Sequence, residues 1–174
     1  QGGLFSPAGD LQPQERWLFG HVERLFDAAR EWVGTRTRRY CLYGHSAGAQ
    51  VVHRMVLAAP DARVSMAVAA NAGWYTLPTF DLDFPYGLRR LPVTEAGLRR
   101  SLGTSLVVLL GEADSDPDDP LLRRSPEALA QGPHRLARGV EFHRQAQDAA
   151  TRRGIPLAWT RQQVPGVGHD HEAM

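Results

Sequence analysis

Ser46, Asp114 and His169 are the residues whose types suggest chemistry first: a hydroxyl that can attack an acyl carbon, a carboxylate, and an imidazole able to take and return a proton. Ser46 lies in Gly44-His45-Ser46-Ala47-Gly48, a G-x-S-x-G pattern. It follows the β-prone stretch Tyr40-Cys41-Leu42-Tyr43 and opens a run of helical spacing with Val52, Met55 and Val56 on one side, ending before Pro60. A strand that turns into a helix at a serine brings the two elements so close that side chains at positions 44 and 48 are expected to collide. The serine is held in strained backbone geometry and pushed out at the strand's end. The Ala47 N–H then points to where the oxyanion of an ester or amide intermediate would form. So short a pattern also arises by chance, and its weight comes from the strand before it and the helix after it.

A serine hydroxyl attacks poorly unless a base removes its proton, and the base needs an acid to fix its tautomer and stabilise the imidazolium. Both are supplied after strand-like runs. Ser105-Leu106-Val107-Val108-Leu109-Leu110 precedes Gly111-Glu112-Ala113-Asp114, and Ile155-Pro156-Leu157-Ala158-Trp159-Thr160-Arg161 precedes Val164-Pro165-Gly166-Val167-Gly168-His169. Asp114 is the preferred acid. Glu112 is close enough to the strand end to point into the sheet, while Asp116, Asp118 and Asp119 lie further along the acidic loop. That loop lacks the glycine and the terminal glutamate of an EF-hand calcium site. His169-Asp170-His171 has no second ligand cluster to make a metal centre, so no metal and no cofactor are expected. His45 and His53 are expected to pack or cap near the elbow, and His21, His134 and His143 to sit on helices at the surface or its boundary.

The elements that must position these residues alternate. After a Gly/Pro-rich opening, Pro13 begins an amphipathic helix with Trp17, Leu18, Val22, Leu25, Phe26, Ala29, Trp32 and Val33 at helical spacing, stopping at Gly34. The elbow strand and its helix follow, and then Arg63–Ala70, short and apolar, suits a strand buried on both faces. A helix of about twenty residues is expected from near Pro133 to Arg152-Arg153-Gly154. Helices alternating with buried strands indicate a parallel α/β sheet, with ligands at the carboxyl ends of the strands. Residues 73–103 form a long connection rich in aromatics, and Trp74 and Tyr75 are candidates to line a substrate pocket or to glue the long loop to the body, two compatible roles.

A chain of 174 residues with 43% apolar content can bury one sizeable core, so one domain is expected. The formal charge of +1 gives no electrostatic case for nucleic acid, and no run approaches a membrane-spanning length. All the basic residues are arginine, and the pairs Arg89-Arg90, Arg99-Arg100, Arg123-Arg124 and Arg152-Arg153 read as solvated surface. Cys41, the one cysteine, is expected to be a buried small hydrophobe in the elbow strand. It leaves the compartment, cytoplasmic or secreted, open, and no signal peptide is visible.

Ser46, Asp114 and His169 occur in the Ser…Asp…His order of the α/β-hydrolases. Through Gly44-His45-Ser46-Ala47-Gly48, Gly111-Glu112-Ala113-Asp114 and Gly166-Val167-Gly168-His169 the chain resembles that superfamily, and more narrowly its poly(3-hydroxybutyrate) depolymerase-like and feruloyl-esterase-like branch. Asn71-Ala72-Gly73-Trp74-Tyr75-Thr76 is also similar to the region after the second strand in that branch. The resemblance implies the carboxyl part of an α/β-hydrolase fold, a mostly parallel sheet flanked by helices with a long lid-like insertion. It implies a domain incomplete at both ends, whose second oxyanion donor comes from preceding sequence. It also implies a serine esterase acting on a small or polymeric ester. A peptidase, thioesterase or acyltransferase would use the same residues, and a binding protein on the same fold would need none of them.

Overall fold

The computed structural model describes residues 2–174. Helix α1 (Leu18–Val33) follows a short 3₁₀ turn at Gln14–Arg16 and ends at Gly34, whose φ of 67° is the left-handed cap the sequence calls for. Then come β1 (Tyr40–His45), α2 (Ala47–Ala58), β2 (Val64–Ala70), α3 (Glu95–Leu102), β3 (Leu106–Gly111), α4 (Pro126–Gln131), α5 (Arg135–Arg152) and β4 (Trp159–Val164). The four strands form one parallel sheet in the order β1-β2-β3-β4. Each connection between neighbours carries helix, as a parallel pair requires.

Apolar periodicity explains how the layers close. Helix α2 lays Ala49, Val52, Met55 and Val56 against β1 and β2. Helix α5 lays Phe142, Ala146 and Ala149 against β3 and β4, while α3 contacts both helices. Phe142 stacks on Tyr75 at 4.4 Å and meets Trp159 at 5.2 Å, which locks the two halves of the core together.

Several expectations are corrected. Cys41 is exposed, as are Tyr43 and Met66, because β1 is a sheet edge and one face of β1 and β2 is uncovered. The strand in 63–70 is therefore not buried on both faces. In α1 only Phe19 is fully buried, whereas Leu25, Trp32 and Val33 are 70%, 89% and 67% exposed. The helix docks by Phe26 on Tyr40, and through Glu23, which accepts bonds from the Tyr40 hydroxyl and Arg63. The last strand begins at Trp159 rather than at Ile155, since the apolar Ile155-Pro156-Leu157 leads into the sheet without joining it.

The segment after β2 is packed rather than lid-like. Tyr75, Leu77, Phe84 and Leu88 belong to the main core, and backbone bonds such as Leu77 N–H to Tyr86 O (2.8 Å) and Leu88 N–H to Thr79 O (2.8 Å) knit it to itself. Fully buried His53 ties it to α2: its Nδ1 lies 2.8 Å from the Ala49 carbonyl, and its Nε2 accepts from the Thr76 N–H at 3.0 Å. That pairing makes Nδ1 the protonated nitrogen. Burial, and then the neighbouring Arg54 charge, push the His53 pKa well below its ordinary value despite the opposing Ala49 hydrogen bond.

Candidate active site

All the candidate groups lie just past carboxyl ends of strands, where loops from β1, β2, β3 and β4 converge. Ser46 joins β1 to α2 with φ 54° and ψ −114°, and its N–H still reaches the Ala70 carbonyl of β2 at 2.9 Å. Such a backbone costs about 1–3 kcal/mol. Burying side chains such as Val52, Met55 and Leu57 of α2 contributes about 1.5–3 kcal/mol each, so packing of the helix outweighs the strain. A Cβ on Gly44 would sit 2.5 Å from the carbonyl carbon and oxygen of Gly48. The expected clash at position 48 is absent, since a Cβ there meets nothing within 4 Å. Only the strand glycine is needed for the close approach. Ala47 opens α2 and is exposed, so its N–H is one of the first-turn donors that a helix leaves without an internal acceptor.

From β4, the turn at Gly166 brings His169 over Ser46. Its Nε2 lies 2.9 Å from Ser46 Oγ, and its Nδ1 lies 2.8 Å from Asp114 Oδ2. Ser46, His169 and Asp114 therefore form one continuous hydrogen-bonded chain. Asp116 and Asp118 are exposed and away from the imidazole, with Asp118 N–H on Asp116 Oδ1 and the Asp118 carboxylate beside Arg124. Glu112 does not point into the sheet: it is exposed, and its Oε2 accepts from the Gly166 N–H at 3.2 Å. It thus clips the loop that carries His169.

His45 packs against that imidazole, ring centres 4.7 Å apart, and its buried Nε2 has no hydrogen-bond partner among the described residues. Burial, and then the charges of His169 and His171, lower the His45 pKa. The two proposed substrate-lining aromatics are used elsewhere. Tyr75 is fully buried in the core, and Trp74, 6% exposed, lies between the guanidinium groups of Arg54 (4.3 Å) and Arg123 (5.1 Å) and beside Tyr86. Both therefore pack this segment onto the body of the chain, one of the two roles expected of them.

No family model matches the chain, and no curated protein is significantly similar to it. Among solved structures it is similar to poly(aspartic acid) hydrolase-1 from Sphingomonas sp. KT-1, with 44% identity and a TM-score of 0.97 over 99% of this chain and 65% of that one. It is also similar to a poly(3-hydroxybutyrate) depolymerase from Bordetella parapertussis, with 41% identity and a TM-score of 0.90 over 97% of this chain and 58% of that one. The chain has an α/β-hydrolase fold. It spans less than two thirds of the length of either relative. The resemblance to depolymerase-like proteins drawn from its motifs is met by these two structures.

Two further groups of this α/β-hydrolase chain shape the site, and sequence reasoning did not single them out. Asn71, fully buried at the end of β2 with φ 49°, accepts the Gly111 N–H on Oδ1 (2.7 Å) and donates from Nδ2 to the Gly168 carbonyl (3.0 Å). It fastens the strand that leads to Asp114 to the residue before His169. Arg135, only 4% exposed, donates from Nη1 to Asp114 Oδ1 (3.2 Å) and to Asp119 Oδ2 (2.5 Å). Burial opposes the charge on Arg135, but the Asp119 hydrogen bond and the two carboxylate charges outweigh it and raise its pKa. An asparagine just past an apolar strand was the one signal available for the first. Nothing local marks Arg135 apart from the other arginines of the chain.

Proposed function

We propose that this chain carries the acyl-transfer site of a serine hydrolase that cleaves carboxylic esters, of the poly(3-hydroxybutyrate) depolymerase-like kind. The observation that supports it is the Asp114–His169–Ser46 hydrogen-bond chain with Ser46 on a strained strand-to-helix turn. Asp114 accepts a hydrogen bond from the Nδ1–H of His169, which holds the tautomer whose Nε2 is the base facing Ser46 Oγ. As Oγ bonds to the ester carbonyl carbon, its proton passes to Nε2 and the carbonyl oxygen becomes an oxyanion directed at the Ala47 N–H. Collapse breaks the carbon–oxygen bond to the alcohol, which takes the proton from Nε2 and leaves the acyl group on Ser46. Water then repeats the sequence, giving its proton to Nε2 and its oxygen to the acyl carbon, and Ser46 is released with the carboxylic acid. The substrate is a small or polymeric ester, and none of these steps calls for a cofactor.

Ser46→Ala tests this. The variant should keep its fold and lose about 10⁴–10⁶ in kcat on p-nitrophenyl esters, while a fluorophosphonate labels the parent and not the variant. Undiminished hydrolysis by the variant would overturn the reading. A second reading, amide cleavage by the same groups, is favoured by the 44% identity to a protein named as a poly(aspartic acid) hydrolase. Comparing kcat/KM on matched p-nitrophenyl esters and p-nitroanilides separates the two.

A further inference from the structure

Asp114 is not held by His169 alone. One of its carboxylate oxygens takes the imidazole, the other takes Arg135 Nη1, and that same nitrogen reaches Asp119. Arg135 and Asp114 are 4% and 5% exposed, so their pairing is little screened by water. The Leu136 N–H donates to the Asp114 carbonyl at 3.1 Å, so the first turn of α5 grips both the backbone and the side chain of this residue. Among the described residues the Arg135 guanidinium hydrogen-bonds to nothing but these two carboxylates.

The charges around His169 then have a simple count. Asp114 and Asp119 supply two negative charges from the loop after β3, and Arg135 returns one positive charge from α5. His45 at the end of β1 packs on the imidazole, and Asp170 and His171 follow it on its own loop. Asp119 also senses the imidazole. Hydrogen bonds from Arg135 and the Leu121 N–H hold its carboxyl below the ordinary range against burial, and the His169 charge adds to this.

We propose that Arg135 and Asp119 are positioning residues for the acid–base site, a charge bridge that fixes Asp114 against His169 and sets the net charge beside the imidazole. The inference rests on the esterase reading for its catalytic meaning. Arg135 prevents Asp114 from turning its second oxygen to water, and Asp119 prevents Arg135 from cancelling Asp114. With both present the cluster carries one net negative charge. Loss of Arg135 leaves two, and loss of Asp119 leaves none.

Opposite charge changes demand opposite shifts, which a merely structural role for the same residues would not produce. Arg135→Met should raise the pKa on the acid limb of kcat/KM by about one unit, and Asp119→Asn should lower it by about half a unit to one unit. The double variant should return to within about 0.3 unit of the parent, and so should Arg135→Lys, which keeps the charge but not the forked geometry. The limb is read between pH 5 and 9 with p-nitrophenyl acetate and with the rate of fluorophosphonate labelling of Ser46. The His169 ring is titrated in parallel by NMR. Shifts of one sign in both single variants, or shifts under about 0.2 unit in both, overturn the charge bridge. If the parent is neither labelled nor hydrolytic, the esterase reading falls, and the NMR titration still decides the bridge. If Arg135→Met does not fold, a lowered limb in Asp119→Asn together with an unshifted limb in Arg135→Lys supports the bridge, and an unshifted or raised limb in Asp119→Asn overturns it.

Discussion

Replacing Gly44 by alanine perturbs the elbow without touching any group assigned to the reaction. The added Cβ would lie 2.5 Å from the carbonyl carbon and oxygen of Gly48 and 2.8 Å from Val52 Cγ2. Carbon atoms need about 3.5 Å, so α2 would have to retreat by about 1 Å. It has nowhere to go, because Ala49, Val52, Met55, Val56 and Leu57 are each 3% exposed or less. Overpacking typically costs about 1–3 kcal/mol, and a clash with backbone on a clamped helix belongs at the upper end, about 3 kcal/mol. For a chain of this size that lowers Tm by about 6–12 °C. The same displacement acts on Ser46, one residue before α2, and a misplacement of about 1 Å costs about 100-fold in rate. Gly48→Ala is the internal control: its Cβ meets nothing within 4 Å, so the variant should match the parent or gain up to about 1 kcal/mol of helix propensity. Thermal melts and kcat/KM on p-nitrophenyl acetate, measured on both variants and the parent, decide the matter. A Gly44→Ala protein indistinguishable from the parent, or a Gly48→Ala protein equally damaged, would refute the packing argument.

Burial of His53 makes stability depend on pH. Its folded pKa lies below its unfolded value near 6.5, so the unfolded chain binds more protons, and stability present above about pH 6.5 is lost as the pH falls, by at most about 1.4 kcal/mol per unit. Urea midpoints from pH 7.5 to pH 5 should fall in the parent and fall less in His53→Gln; an equal slope in both would assign the effect to other groups, such as His45 and His143, whose pKa values are also lowered. Asn71→Ala strips partners from the Gly111 N–H and the Gly168 carbonyl and should cost about 2–4 kcal/mol in urea unfolding together with a fall in kcat, and full activity at parental stability would contradict the fastening role. Trp74→Ala should lose about 3–5 kcal/mol of stability while leaving the ratio of kcat/KM for short aliphatic and bulky aromatic esters unchanged; a tenfold change in that ratio would return the ring to the substrate cleft.

What the sequence determined by itself is local. A nucleophile elbow is a constraint among five consecutive residues, so Gly44-His45-Ser46-Ala47-Gly48 is readable wherever it occurs between a strand and a helix, and the observed φ of 54° at Ser46 is the conformation it demands. Strands β2 and β3 announce themselves as short apolar runs, and α5 by its length and its glycine stop, because periodicity and turn chemistry act over neighbours in the chain. Where that signal is weak, sequence and structure part. The strand β4 is a sheet edge of Thr160, Arg161, Gln162 and Gln163, and the apolar residues before it drew the expected start four positions early. In α1 the apolar stripe identified a helix but not its contacts, since periodicity defines a face and says nothing of what meets it.

What only the tertiary structure decided is which distant groups meet. Asp114, Asp116, Asp118 and Asp119 share one acidic loop, and their chemistry is identical in sequence. The close approach of the β3 end to the His169 loop, marked by Gly111 against the Val167 and Gly168 carbonyls, gives His169 to Asp114, and the docking of the first turn of α5 on the acidic loop gives Asp119 to Arg135. Asn71 reaches across 97 positions to Gly168, and Arg135 reaches back 21 positions to Asp114. Trp74 and Tyr75 carry the same aromatic signature whether they face a substrate or a core, and only the folded chain, which sets one against two guanidinium groups and the other against Phe142, separates the two. The physical reason is the same throughout. Backbone demands and hydrophobic period are short-ranged and written in adjacent residues, whereas charge pairing and burial belong to positions that become neighbours only once the sheet has formed.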